Sequence, residues 1–213
     1  MSRGICYIAG AGECDRLLLY PKKEDMVIAV DGGYRYLEGQ RIDLVVGDFD
    51  SLAYVPEHFN VIQLPPEKDD TDMLFAIKEG LRAGYQTFYI YGGTGGRVSH
   101  TIANVQCLAY LAEHGAKGYL IDSQEILTLL VNESITFDKS CKGYLSVFSY
   151  GESAKGVTLE GLKYLLSDAT LTQSMPLGVS NEFVGKEARV TVREGALLLI
   201  VQKQDANPEA YLK

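Results

Sequence analysis

Hydrophobic residues in the first part of the chain fall into short runs: Ile5 to Ala9, Met26 to Val30, Leu44 to Val46, Asn60 to Leu64, Thr87 to Tyr91 and Lys117 to Ile121. Most are continuous rather than alternating, the pattern of strands buried on both faces of a parallel sheet. Between them, Met73, Leu74, Ile77 and Leu81 share one helical stripe, and Ile102, Val105, Ala109 and Ala112 share another. An apolar run, a turn with Gly or Asp and a helically spaced segment recur in that order, which predicts βα alternation over residues 1–122. Beyond Asp122 helical spacing fades. Short β-rich runs take over at Leu127 to Val131, Ile135 to Phe137, Tyr144 to Phe148, Arg189 to Val192 and Leu197 to Val201. Turn signals at Lys142-Gly143, Tyr150-Gly151-Glu152 and Glu194-Gly195 separate them, so residues 123–213 read as a smaller, mostly antiparallel β domain. The tail Asp205-Ala206-Asn207-Pro208 is expected to fray.

Composition narrows the function. With 46% hydrophobic and 23% charged residues in 213, the chain is an ordinary globular protein. Its net charge of −8 repels a phosphate backbone and argues against nucleic-acid binding. No apolar run approaches the roughly 20 residues of a membrane span, and the opening residues lack the apolar length of a signal peptide, so a cytoplasmic location is expected. Cys6, Cys14, Cys107 and Cys141 show no metal-ligand spacing and read as reduced thiols.

The acidic residues are unevenly spread. From Asp43 to Asp72 there are eight acids against one base, Lys68, a local charge of −7 that costs energy unless a cation offsets it. In Gly47-Asp48-Phe49-Asp50-Ser51, an extended chain would put Asp48 and Asp50 on one face and Phe49 in the core, at the C-terminal end of a parallel strand. Two such carboxylates suit Mg²⁺, which keeps its other positions for water and phosphate oxygens; a turn with local Asp-to-backbone hydrogen bonds is the alternative. Lys68-Asp69-Asp70-Thr71-Asp72 precedes a helical stripe, and holds more acids than capping requires. Gly92-Gly93-Thr94-Gly95-Gly96-Arg97 lets backbone amides approach a polyphosphate, with a helix N-terminus behind it and the Arg97 guanidinium beside it. His100 and Asn104 share one face of that helix. The loop is not a Walker P-loop, and Gly10-Ala11-Gly12, with Asp15 where a dinucleotide fingerprint wants glycine, is assigned no cofactor.

Taken in order, Asp31-Gly32-Gly33, Gly47-Asp48-Phe49-Asp50-Ser51, Lys68-Asp69-Asp70-Thr71-Asp72, Gly92-x-x-Gly95-Gly96-Arg97-x-x-His100 and Ser180-Asn181-Glu182 resemble the motifs of the thiamine pyrophosphokinases over nearly the whole chain. The resemblance implies an α/β fold: an N-terminal parallel-sheet nucleotide-binding domain over residues 1–122, followed by a C-terminal all-β, sandwich-like domain over 123–213 that binds thiamine and forms a homodimer. It implies Mg²⁺-dependent transfer of the terminal diphosphate of ATP to the thiamine hydroxyl, with attack on the β-phosphorus and release of AMP. By the same resemblance Asp48, Asp50 and Asp72 are metal ligands and, with Arg97, the catalytic set. Asp31, Lys68, Thr71, Gly92, Gly95, Gly96, Arg97, His100 and Asn104 line the ATP site, and Ser180 and Asn181 contact thiamine. Asp72 is the candidate base, although a carboxylate bound to Mg²⁺ is a poor one.

The chain departs from the family pattern at Ser99, where the family usually has Asp, and it has no Trp to stack on thiamine. Ser99 is expected to cap its helix. Two rival readings remain at this point: a diphosphokinase for another small alcohol, such as a pterin, and a thiamine- or nucleotide-binding regulator without turnover.

Overall fold

The computed structural model describes residues 4–14 and 17–204; Met1 to Arg3, Asp15 and the tail expected to fray, Asp205 to Pro208, lie outside them. The chain divides into two compact units, Met1–Ser123 and Gln124–Lys213.

The N-terminal unit is built on six parallel strands: β1 (Ile5–Ala9), β2 (Met26–Val30), β3 (Leu44–Gly47), β4 (Val61–Gln63), β5 (Thr87–Tyr91) and β6 (Lys117–Ile121). They lie in the order β4-β3-β2-β1-β5-β6. The chain steps outward from β1 to β4, then returns to the other side of β1 to place β5. The strand order therefore reverses between β1 and β5. In an open α/β sheet such a reversal opens a crevice beyond the strands' carboxyl ends, because the connections there run to opposite sides.

The expected βα alternation holds only in part. Among the described residues, α-helices follow β4 and β5 alone: α1 (Asp72–Arg82) and α2 (Val98–Glu113). After β2 comes a 3₁₀ helix over Asp31–Leu37, and the described residues of the connections after β1 and β3 form no helix. Pro21 and Pro56 lie in those two connections, and proline cannot donate within a helix interior.

Both helices cover the same face of the sheet. A Cβ on Gly80 of α1 would meet Phe88 and Cys6 side chains, and one on Gly118 of β6 would meet Leu108 and Leu111 of α2. Phe88 pairs with Cys6 and with Gly118 across the strands, so these contacts share one sheet face. α1 buries Met73, Ala76, Ile77 and Gly80, close to the expected stripe. For α2 the expected stripe is displaced: the buried residues are Asn104, Cys107, Leu108 and Leu111, whereas Ile102 is 58% exposed. Asn104 turns inward because a backbone carbonyl awaits its amide, and the apolar pattern alone carries no trace of that. On the other face, Ala9, Leu17, Val27, Ala29, Leu37, Ile42, Val45, Phe49 and Leu52 form one buried cluster.

Among the described residues the regular elements of the C-terminal unit are all strands: β7 (Glu125–Val131), β8 (Ser134–Phe137), β9 (Tyr144–Glu160), β10 (Leu166–Thr172), β11 (Gly178–Glu182), β12 (Ala188–Thr191) and β13 (Glu194–Gln202), antiparallel in every pairing among them. The turn expected at Tyr150-Gly151-Glu152 does not form. β9 continues through it, with Gly151 at φ 99°, and its first half pairs β13 and β11 while its second half pairs β10 and β12. A long strand that changes partners at a glycine turns a corner between two sheets without ending. β10 and β11 escape the hydrophobic pattern because they are short on buried residues, with Leu171 the one buried position of β10.

The rotated face of α2 is testable by urea unfolding. Leu108→Ala should cost about 2–5 kcal/mol by leaving a core cavity, and Ile102→Ala should stay within about 0.5 kcal/mol of wild type. The reverse ranking would restore the sequence-based face.

Candidate functional site

At the reversal between β1 and β5 lies a cavity of about 440 Å³ whose lining comes entirely from the N-terminal unit. Its floor is a pair of interlocked glycine turns. Gly10 N donates to Tyr91 O and Gly12 N to Gly92 O, each at 2.8 Å. A Cβ on Gly12 would lie 2.5 Å from both Gly92 O and Thr94 O, so only glycine allows the two loops to close on each other. The Gly10-Ala11-Gly12 turn, given no role from its sequence, thus belongs to the site as a support: two of its amides serve the opposite loop. Behind that loop, buried Asn104 donates its amide to Gly93 O at 2.6 Å. Gly92, Gly95 and Gly96 adopt φ of 60°, 76° and 66°, the left-handed region in which glycine is unstrained.

Arg97 is the N-cap residue of α2 and makes no side-chain cap bond; the first turn holds no acid. Ser99, expected as the cap, sits inside the first turn instead. The helix therefore presents uncapped amides and an exposed guanidinium at the cavity. His100 lies one turn along and also lines it.

Opposite stand the acids. Asp31, Asp48 and Asp72 each bring a carboxylate oxygen within 4.8 Å of the others. Asp31 opens the 3₁₀ helix at φ 48° and accepts from Phe49 N at 3.3 Å. Its approach requires Gly47, since a Cβ there would sit 1.9 Å from Asp31 Oδ1. Asp72 opens α1, whose cap is Thr71, accepting from Leu74 N at 3.1 Å. Thr71 thus has a structural duty as well as a place in the lining.

The expected extended Asp48-Phe49-Asp50 is not found. Phe49 has φ 63° and buries into the apolar cluster, so the chain turns at that residue. Asp48 Oδ1 accepts from Asp50 N at 3.2 Å, and Asp50 is exposed. Asp50 lines the cavity but stands outside the three-carboxylate group, where Asp31 takes the third position.

Lys68 is absent from the lining. Its Nζ lies 3.1 Å from Asp48 Oδ2, 3.0 Å from Asp72 Oδ1 and 3.1 Å from Pro65 O. Burial opposes its charge, but the contacts with Asp72 and Asp48 outweigh that and hold its pKa above the ordinary lysine value. Asp48 shows the converse: burial disfavours its charge, and Lys68 with the Asp50 amide more than compensates, so its pKa is lowered. Among the described residues Asp31 has no such cation. Burial first, then the Asp72 charge, push its pKa up to about 6, against the opposing Phe49 amide.

Two observations make the group suitable for a divalent ion. The donors are all hard carboxylate oxygens, and they converge, with the buried Asp72 Oδ1 touched by the Lys68 ammonium at 3.0 Å. Three carboxylates against one ammonium leave a formal charge of −3 + 1 = −2, which one divalent cation cancels.

In the C-terminal unit, Ser180 and Asn181 lie on β11. Asn181 is buried; its side-chain oxygen accepts from the Tyr164 and Glu182 amides, both at 2.9 Å, and its amide donates to Tyr164 O at 2.7 Å. It pins the Tyr164 segment. Ser180, at φ 56°, is exposed, with its backbone amide on Ser146 Oγ.

Residues 17–120 match the family model "Thiamin pyrophosphokinase, catalytic domain", and residues 132–197 match "Thiamin pyrophosphokinase, vitamin B1 binding domain". The chain belongs to the thiamin pyrophosphokinase family. A thiamine pyrophosphokinase of Bacillus subtilis is 30% identical over 162 residues, 72% of this chain and 75% of the relative. The crystal structure of thiamine pyrophosphokinase from Bacillus subtilis superposes with a TM-score of 0.83 at 26% identity, over 95% of this chain and 100% of that one. That of a thiamin pyrophosphokinase family protein from Enterococcus faecalis gives 0.80 at 30% identity, over 96% and 100%.

Of the residues expected in the ATP and metal site, Asp31, Asp48, Asp50, Thr71, Asp72, Gly92, Gly95, Gly96, Arg97, His100 and Asn104 line this cavity together. Ser51, Met73, Thr94 and Ala103 join them without having been singled out. Ser51 closes the Gly47-to-Ser51 motif and Thr94 stands inside the glycine loop, while Met73 adjoins the Lys68-to-Asp72 motif, so neighbourhood was the available signal.

The raised pKa of Asp31 makes a pH-dependent prediction. Folding favours its neutral form, so its contribution to stability is present below the ordinary value of 3.8 and is lost as pH rises through about 6. Without metal, Asp31→Asn should therefore melt above wild type at pH 7, and the difference should close toward pH 4. A gap independent of pH would remove the charge as its cause.

Proposed function

We propose that this cavity holds the polyphosphate of ATP together with a divalent ion, Mg²⁺, and that the chain transfers the terminal diphosphate of ATP to the hydroxyl of thiamine. The observation that carries the reading is the meeting, in one cavity, of three converging carboxylates with a glycine turn and the uncapped start of α2 bearing Arg97. The two family models support thiamine as acceptor, because the vitamin B1 binding domain model covers residues 132–197. Neither a pterin acceptor nor a regulator without turnover has comparable support. The chain is an enzyme, a thiamine pyrophosphokinase by activity.

In the proposed reaction the thiamine hydroxyl oxygen attacks the β-phosphorus, and the bond from that phosphorus to the α–β bridging oxygen breaks. AMP leaves with the bridging oxygen, and the hydroxyl proton passes to water or to a cavity carboxylate. Asp31, Asp48 and Asp72 would hold the Mg²⁺, with Asp50 at the margin. When bound, the ion supplies positive charge against the polyphosphate. Arg97 offers a planar cation to phosphate oxygens, and the uncapped amides of α2 add their dipole where negative charge accumulates. Asn104 and the Gly10–Gly12 turn keep the glycine loop in a shape that receives phosphate. Little covalent work falls to the protein, since phosphoryl-type transfer is driven chiefly by positioning and electrostatics.

Ser180 is the proposed thiamine contact on β11, with Asn181 fixing the segment beside it. A homodimer belongs to the proposal as well: the C-terminal unit exposes Tyr164, Leu165, Met175 and Leu177, apolar surface of the kind that association covers. No helix among the described residues is long and apolar enough to cross a membrane; a cytoplasmic location is proposed.

Incubation with ATP, Mg²⁺ and thiamine should yield AMP and thiamine diphosphate in equal amounts. ADP would mean single phosphoryl transfer, and thiamine binding without turnover would favour a regulator. Asp72→Asn should lower kcat by about 10²–10³-fold, the range for loss of one preorganised electrostatic group, with the circular dichroism of the fold unchanged. Undiminished kcat would take Asp72 out of the chemistry.

A further inference from the structure

Lys68 bridges two motifs that lie apart in sequence. Its ammonium touches Asp48 at the end of β3 and Asp72 at the start of α1, and the Pro65 carbonyl holds it from behind. Both ion pairs are shielded, with side-chain exposures of 15% for Lys68, 21% for Asp48 and 15% for Asp72, so water screens them less than it screens surface pairs. Asp48 and Asp72 repel at this separation, and Asp31 adds a third charge to the same group. Without Lys68 nothing else among the described ion pairs neutralises these three acids: Arg41 serves Asp43, and Lys78 serves Asp70. Lys68 also does not line the cavity. A lysine that gripped the nucleotide would have to leave two carboxylates to do so.

We infer that Lys68 is the resident counter-ion of the carboxylate group, a positioning residue that keeps Asp48 and Asp72 converged and sets how tightly a divalent ion is held, and that it is not a nucleotide ligand. This rests on the proposed metal site. Two physical effects follow from the one ammonium. In the metal-free protein it offsets repulsion and stabilises the fold. Toward an incoming cation it is a like charge beside the site, so it weakens binding and keeps the group from holding the ion too firmly for exchange.

The full chain, stripped of metal, separates these effects. Thermal melting without metal and calorimetric titration with MgCl₂ are measured for wild type, Lys68→Met and Lys68→Arg, and a non-hydrolysable ATP analogue is then titrated at saturating Mg²⁺. Lys68→Met should melt lower than wild type without metal, bind Mg²⁺ about ten-fold more tightly through loss of the like charge, gain more in melting temperature when Mg²⁺ is added, and bind the analogue as wild type does. Lys68→Arg, which keeps the charge, should restore both the metal-free melting temperature and the Mg²⁺ affinity. Unchanged Mg²⁺ affinity with weakened binding of the analogue would overturn the inference and make Lys68 a nucleotide ligand. Should Lys68→Met not fold, Lys68→Met/Asp48→Asn, which removes one charge of each sign, should fold; its failure too would show that packing rather than charge is the reason and would equally overturn the inference. No uptake of Mg²⁺ by wild type would sink the metal site and with it the control of metal affinity. Equal metal-free melting of wild type and Lys68→Met would sink the counter-ion role while leaving the metal site standing.

Discussion

Mutual repulsion among Asp31, Asp48 and Asp72 is the constraint to which the rest of the site answers. Three carboxylates within 4.8 Å of one another are unfavourable unless positive charge is supplied, and the chain supplies one unit through Lys68. The shortfall appears at Asp31, the member without a cation, whose pKa is driven up to about 6. A divalent ion would cancel the charge that remains. The surrounding structure is arranged to enforce it: Gly47 leaves room for Asp31, and the cap at Thr71 sets Asp72 at the head of α1.

Sheet topology decides where that charge sits. Reversal of strand order between β1 and β5 opens the crevice, and the two glycine turns that follow those strands close against each other to floor it. The result is a polarised cavity, with carboxylates on one side and a guanidinium with free helix amides on the other. A polyphosphate with its metal has the matching distribution of charge, negative oxygens toward Arg97 and positive ion toward the acids. In the C-terminal unit, Asn181 shows a comparable economy. Its single side chain ties Tyr164 to β11 from both sides of the backbone, beside the exposed Ser180.

Much of this was legible in the residues. Continuous apolar runs located the parallel strands, because a strand buried on both faces has no polar alternation to hide in. The crowding of acids against one lysine, and the density of glycines before Arg97, marked the site's two sides by chemistry that few structural roles require. What the runs could not convey was the conformation between them. Pro21 and Pro56 stand in connections without helices, yet nothing local announces the 3₁₀ helix that brings Asp31 to the acids. Gly151 reads as a turn from its neighbours and is a bend inside β9, since two sheets claim the strand's two halves.

The sequence by itself determined the six parallel strands, the division in texture near residue 122, the motifs and the family they resemble, because each depends on residue type and spacing along the chain. Only the tertiary structure decided which acids meet. Asp50, two residues from Asp48, is turned away by the left-handed φ of Phe49, while Asp31, seventeen residues distant, takes the third place. It likewise turned Asn104 inward, displaced Ser99 from the cap, and set Lys68 between two carboxylates. The physical reason is common to all of these. A side chain's partner is chosen by backbone torsion and by the packing of elements remote in sequence, and neither is written in the local order of residues.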